Sequence, residues 1–249
     1  MFSENRPIQK YQYHIQLAIF LSFVAGLVNV CSILSLQRLT TNVTGHFAFF
    51  VEEIFQTNYF LAFKFLLFVF FFFFGSFTSN LMVEIISKVN TRFKYTIPVI
   101  LEALLLFICG GAFTIYQTNH PDLIAITLLF SMGLQNSLVT RVSNSVVRTT
   151  HLTGIFTDLG IEVSQLFFIK NKIRNTKTKA SIQLKLTIIA CFFIGGLVGG
   201  LVYSWIGLRT LWIAVVVLII AAFLNFIKKQ LFKFSKFSNI IKPKNSLER

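Results

Sequence analysis

The 249 residues are 55% hydrophobic, include 31 phenylalanines and have a mean hydropathy of +0.72, which excludes an ordinary soluble domain of this size. The net charge of +14 comes from 23 Lys and Arg against 9 Asp and Glu. The basic residues lie between and after apolar runs, which points to membrane topology and away from nucleic-acid binding.

Several runs reach the roughly 20 apolar residues with which an α-helix crosses about 30 Å of hydrocarbon, and no strand-length alternation competes with them. The expected class is an all-α polytopic membrane protein. Residues 1–14 read as a cytoplasmic N-tail carrying Arg6 and Lys10. The first helix is expected over Ile15–Leu36, too long for the apolar core of a removable signal peptide. A polar break, TTNVTGH, follows at Thr40–His46, and Phe47–Gln56 is apolar but short and holds Glu52 and Glu53. That segment is expected to re-enter the membrane or lie at its interface.

The second helix is expected over Tyr59–Val83, followed by a basic loop with Lys88, Arg92 and Lys94. The third covers Thr96–Tyr116 with Pro98 in its first turn, where the missing N–H is tolerated. Gln117–Asp122 is a short turn, and the fourth helix covers Leu123–Thr140, with Gln135 and Asn136 inside it. Arg148–Gly160, RTTHLTGIFTDLG, is the second polar break, and Ile161–Ile169 is again short and carries Glu162. Lys170–Lys185 reads as a basic loop. Helices over Leu186–Ile206 and Leu211–Ile227 follow, joined by a tight turn at Gly207–Arg209, and residues 228–249 form a basic cytoplasmic C-tail.

Six transmembrane helices with both termini in the cytoplasm put 20 of the 23 Lys and Arg residues on the inner side, leaving Arg38, Lys64 and Arg209 outside it. The chain also matches itself. Ala25–Asn29 (AGLVN) aligns with Met132–Asn136 (MGLQN), Thr44-Gly45 with Thr153-Gly154, Glu53 with Glu162, and Gly75 with Gly195. Each half, 15–116 and 117–227, therefore reads as three helices with a short segment after the first, that is, after helices 1 and 4. Three is odd, so the expected architecture is two inverted three-helix repeats.

A polar break at membrane depth must be buried in protein or line a cavity. The residues expected to line a substrate pathway are Asn29, Thr44, Gly45 and His46 in the first half and Glu102, Gln135, Asn136, Thr150, His151, Thr153, Gly154, Asp158 and Glu162 further on. The alternative is that both breaks are ordinary loops whose threonines cap helices. Asp158 and Glu162 share a face if the segment is helical, and with His151 they have the chemistry of a proton relay or of a solvated surface cluster. Glu102 either takes part in function or snorkels towards the inner face. Asn29 and Asn136 occupy matching places and could hydrogen-bond a ligand or each other. Gly195-xxx-Gly199 and Gly196-xxx-Gly200 suit close helix packing, within the chain or in a homo-oligomer.

Cys31, Cys109 and Cys191 fall in different apolar runs and form neither a disulfide framework nor a metal motif, and no P-loop, GxSxG or HExxH occurs. Neither catalysis nor a metal or cofactor is expected.

MGLQN at Met132–Asn136, Thr140-Arg141 and RTTHLTG…TDLG at Arg148–Gly160 resemble the YoaK-like family of bacterial inner-membrane proteins, over about residues 12–228. Members usually carry an acidic residue where Asn29 stands here. The resemblance implies a six-helix inner-membrane protein and supplies no substrate or reaction. The expected function is a small-solute secondary transporter or permease in the lipid bilayer, and the rival is a non-transporting scaffold or partner-binding subunit.

Overall fold

The computed structural model describes residues 5–91, 93–116, 121–142, 151–169 and 171–224. Residues 1–4, 92, 117–120, 143–150 with Arg148 and Thr150, 170 and 225–249 lie outside them. Among the described residues every regular element is helical. The order is α1 (Asn5–Leu36), α2 (Val43–Phe55), α3 (Tyr59–Val89), α4 (Thr96–Tyr116), α5 (Pro121–Val142), α6 (Leu152–Leu166) and α7 (Lys172–Ile206). A 3-10 turn at Gly207–Thr210 leads into α8 at 211–224.

Four segments are long and apolar enough to cross a membrane: Gln16–Leu36, Tyr59–Val89, Pro121–Val142 and the 53-residue run Lys172–Leu224. The last is interrupted at Gly207, whose φ of 60° and ψ of −142° suit glycine. α4 is apolar over Thr96–Gly111. Residues with positive φ also end α1 and α2, at Gln37 and Thr57.

Sequence and structure differ at several boundaries. Residues 5–14 are helical and continuous with α1, and α3 runs six residues past the expected Val83. Thr44-Gly45 and Thr153-Gly154 do not interrupt helices. They lie in the first turns of α2 and α6, and the first break is the residues just before Val43. Lys170–Lys185 is largely helix and not loop, because Asn171 caps α7: its Oδ1 accepts from the N–H groups of Ile173 (2.9 Å) and Arg174 (3.3 Å).

Burial separates inner helices from outer ones. The apolar windows of α1 and α5 are 61% buried, whereas that of α3 is 22% buried and exposes Phe63, Phe70, Phe73 and Phe77. A surface of that composition suits lipid and not water.

Two helix crossings organise the bundle. α1 packs on α7 where a Cβ on Gly26 would lie 1.9 Å from the carbonyl oxygen of Phe192, and one on Gly195 would lie 2.0 Å from that of Phe23. α5 packs on α3 in the same way: a Cβ on Gly133 would lie 2.1 Å from Phe72 O, and one on Gly75 2.1 Å from Phe130 O. Only glycine permits backbones that close. Ser76 Oγ adds a hydrogen bond to Gly133 O at 3.0 Å.

Ion pairs fix the direction of α3 against α5. Lys64 meets Asp122 at 2.5 Å at one end, and Arg141 meets Glu84 at the other, so the two helices run parallel. The 20 residues from Lys64 to Glu84 span about 30 Å at 1.5 Å per residue, close to the hydrocarbon thickness of a bilayer. Gly75 and Gly133 stand near the middle of that span. α1 runs the opposite way, with Leu36 against Phe65, Phe68, Ala125 and Leu129 near the starts of α3 and α5, and Leu21 beside Gln135.

Candidate functional site

Polar side chains gather in three places. The first lies where α1 ends and α3 begins. Asn42 caps α2 by accepting from the Gly45 N–H at 3.0 Å, so the capping residue is an asparagine and not Thr44, which is exposed. The α2 helix brings His46 inward, where it is 1% exposed. Its Nε2 donates to the Leu39 carbonyl at 2.5 Å, its ring packs 5.4 Å from that of Phe68, and its Nδ1 has no partner. Asn29 Oδ1 accepts from Thr41 Oγ1 at 2.8 Å, so it ties α1 to the loop and does not bond Asn136.

Beside these residues is a cleft of about 450 Å³ whose walls include Arg38, His46, Phe49, Glu52, Glu53 and Phe65. The Arg38 guanidinium lies 5.4 Å over the Phe65 ring. One Glu53 carboxylate oxygen is buried without a partner. The cleft thus offers a cation, two carboxylates and aromatic faces, a set suited to a small solute with polar and apolar parts.

The second place is at the opposite end, between α6 and the start of α7. Asp158 and Glu162 share a face of α6, as the spacing predicts, and what completes them is Lys185. Its ammonium, on a residue only 6% exposed, donates to Glu162 Oε1 at 2.5 Å and lies 3.9 Å from Asp158 Oδ2. Ser181 Oγ donates to the same Glu162 oxygen at 2.8 Å. His151 stands apart at the N-cap position of α6, exposed and with no side-chain capping bond, its ring so close to Gly154 that a Cβ there would meet it at 2.4 Å. Thr153 is exposed and its carbonyl accepts from Thr157. A shallower cleft of about 260 Å³ lies past α6, walled by Ser164, Gln165, Phe168 and Arg174 among others, and it does not include His151 or Thr153.

The third place is the interior. Glu102 is 1% exposed and neither carboxylate oxygen has a partner. Gln135, fully buried on α5, donates through Nε2 to the Leu21 carbonyl of α1, and its Oε1 is unpartnered, as is Asn136 Oδ1. Glu102 does not snorkel: its burial removes the surface reading.

The structure therefore brings Asn29 and His46 to one end, Asp158 and Glu162 to the other, and Glu102, Gln135 and Asn136 to the interior between them. Sequence reasoning missed Lys185, Thr41 and Arg38 as members of these groups. Asn171 followed by a helix-permissive run was the available signal that α7 starts early enough to carry Lys185 inward. Among the described residues no three of His, Cys, Asp and Glu converge at metal-ligand spacing.

A family model described as "Protein of unknown function (DUF1275)" matches residues 17–224. No curated protein and no solved structure matches the chain.

Proposed function

The chain belongs to this family of proteins of unknown function, and from that premise we propose that it is a small-solute secondary transporter or permease built from two inverted repeats. The observation that carries the reading is the reciprocal pair of glycine crossings. Gly26 and Gly133 occupy matching places in the two halves, as do Gly75 and Gly195, and the first helix of each half packs on the long helix that follows the short segment of the other. Such an exchange is what a two-fold axis between inverted repeats produces.

In this reading α1, α3, α4, α5, α7 and α8 are six crossings. The parallel run of α3 with α5, and the opposite run of α1, support that alternation. α2 and α6 are the short segments at opposite faces, each directing one residue inward, His46 and Ile155. The cleft beside His46 is the outer vestibule, and the Lys185 cluster on α6 and α7 closes the inner face. The positive-inside pattern and the resemblance to the YoaK-like proteins support a bacterial inner membrane with cytoplasmic termini. No reaction is assigned to the protein.

The test is reconstitution in liposomes with a panel of small polar solutes. Uptake that His46→Ala or Lys185→Met lowers supports the reading. A broad panel with neither binding nor flux removes it in favour of a membrane scaffold whose basic segments engage anionic lipid or a protein partner.

A further inference from the structure

Unmet hydrogen-bonding capacity in the interior is mainly that of acceptors. Glu102 Oε1 and Oε2, Gln135 Oε1 and Asn136 Oδ1 are all acceptors, all buried and all without a partner. Gln135 commits one amide N–H to the Leu21 carbonyl across the α1–α5 interface, and the one N–H it has left is outnumbered by the orphan acceptors. Buried polar atoms of native proteins are nearly always satisfied, so four orphan acceptors on two helices call for a common donor or cation.

The fold sets these atoms at one level. Asn136 lies five residues before Arg141 on α5, about 7.5 Å of helix in from the ion pair that marks this end. Glu102 lies six residues into α4, about 9 Å from Thr96, and α4 begins at the same end because only residues 90–95 separate it from α3. The two helices pack against each other. Ser79 of α3, fully buried with an unpartnered hydroxyl, stands five residues before Glu84 and so at the same level.

The charge to be balanced is one. The charged groups on the elements around α4 are Asp122 and Arg141 of α5, Lys64, Glu84 and Lys88 of α3 and Arg209 of the 3-10 turn. Lys64 pairs with Asp122 and Arg141 with Glu84 at the two ends of the bundle, Lys88 lies a further turn beyond Glu84, and α8 has no titratable side chain over 211–224. A divalent ion held by protein alone takes six or more oxygens and usually several carboxylates. One carboxylate with two neutral amide oxygens suits one positive charge.

We propose that Glu102, with the side-chain oxygens of Gln135 and Asn136, binds one monovalent cation, a proton or a sodium ion, between α4 and α5. Binding itself is independent of transport; its use as the coupling ion rests on the transporter reading. A bound proton sits on a Glu102 oxygen and is donated to an amide oxygen, whereas sodium is coordinated by the ionised carboxylate and the amide oxygens.

The test is infrared difference spectroscopy of the full chain in liposomes, in pH steps and in exchanges of choline for sodium. In the proton arm, the C=O stretch of a protonated carboxylic acid titrates with pH, is indifferent to sodium and is missing from Glu102→Gln. In the sodium arm, the carboxylate stretches shift on adding sodium at constant pH, again only with Glu102 present. Asn136→Leu moves the midpoint of the active arm by about tenfold, the scale of one hydrogen bond to a charged group, and decides the matter if Glu102→Gln loses its helical amide band. Spectra of wild type and variants that respond alike in both arms overturn the proposal. Cation binding without solute flux would keep it and remove the transporter reading, while flux with no Glu102 signal would do the reverse.

Discussion

Replacing Gly133 by alanine perturbs one backbone crossing and almost nothing else. The added Cβ would lie 2.1 Å from Phe72 O and 3.0 Å from Phe72 C, about 1.3 Å short of the 3.4 Å at which ordinary contact begins, and these are backbone atoms that no rotamer change can move. α3 and α5 must therefore separate locally. Overpacking of this kind costs about 1–3 kcal/mol. Separation also stretches the hydrogen bond from Ser76 Oγ to Gly133 O, now 3.0 Å, of a class that averages about 0.6 kcal/mol between membrane helices. Alanine recovers about 1 kcal/mol of helix propensity. The net expectation is a loss of about 0.6–2.6 kcal/mol, a factor of roughly 3–80 in the folded-to-unfolded ratio. Unfolding in mixed micelles, followed by circular dichroism against denaturing detergent, measures it. Gly160→Ala is the control, because a Cβ there meets nothing within 4 Å. If Gly133→Ala unfolds at the same midpoint as Gly160→Ala, the close crossing does not exist as described.

Gly26→Ala should destabilise to a similar degree through the α1–α7 crossing, and since the two crossings share no helix, the double variant should be additive within about 0.5 kcal/mol in the same titration. A double-mutant cycle of Lys185→Met with Glu162→Gln should give a coupling of about 0.5–3 kcal/mol; no coupling would mean that the contact is incidental. Asn42→Ala should cost α2 about 1 kcal/mol, read as faster hydrogen exchange at the Gly45 amide with little change at α5. In a background lacking the three cysteines, single cysteines at positions 64 and 122 should react with an impermeant thiol reagent from the same face of a sealed vesicle, and reaction from opposite faces would contradict the parallel run of α3 and α5.

Much of the helical framework was legible in the chain, and the reasons are local. Thr96–Tyr116 agrees at both ends, since Pro98 marks a first turn and the apolar run is uninterrupted. The turn at Gly207 could be read because only glycine fits a tight reversal there. The helical start at Lys172 could not be read from charge alone, since a basic stretch is equally a loop or the polar end of a long helix; the Asn171 cap decides it. The first polar break is legible to within a few residues, and where the alternative reading has a threonine cap the following helix, the cap is Asn42.

Composition and run length by themselves determine that this chain is helical and suits a bilayer, because the hydrocarbon core demands apolar segments of a set length. Sliding the sequence on itself also pairs Gly26 with Gly133 and Gly75 with Gly195. Which glycine meets which backbone is a different matter. That Gly26 faces Phe192, Gly133 faces Phe72 and Lys185 reaches Glu162 depends on contacts between distant parts of the chain. Only the packed structure decides them, because close approach and buried charge pairing are set by the space left between helices and not by any local preference of the residues.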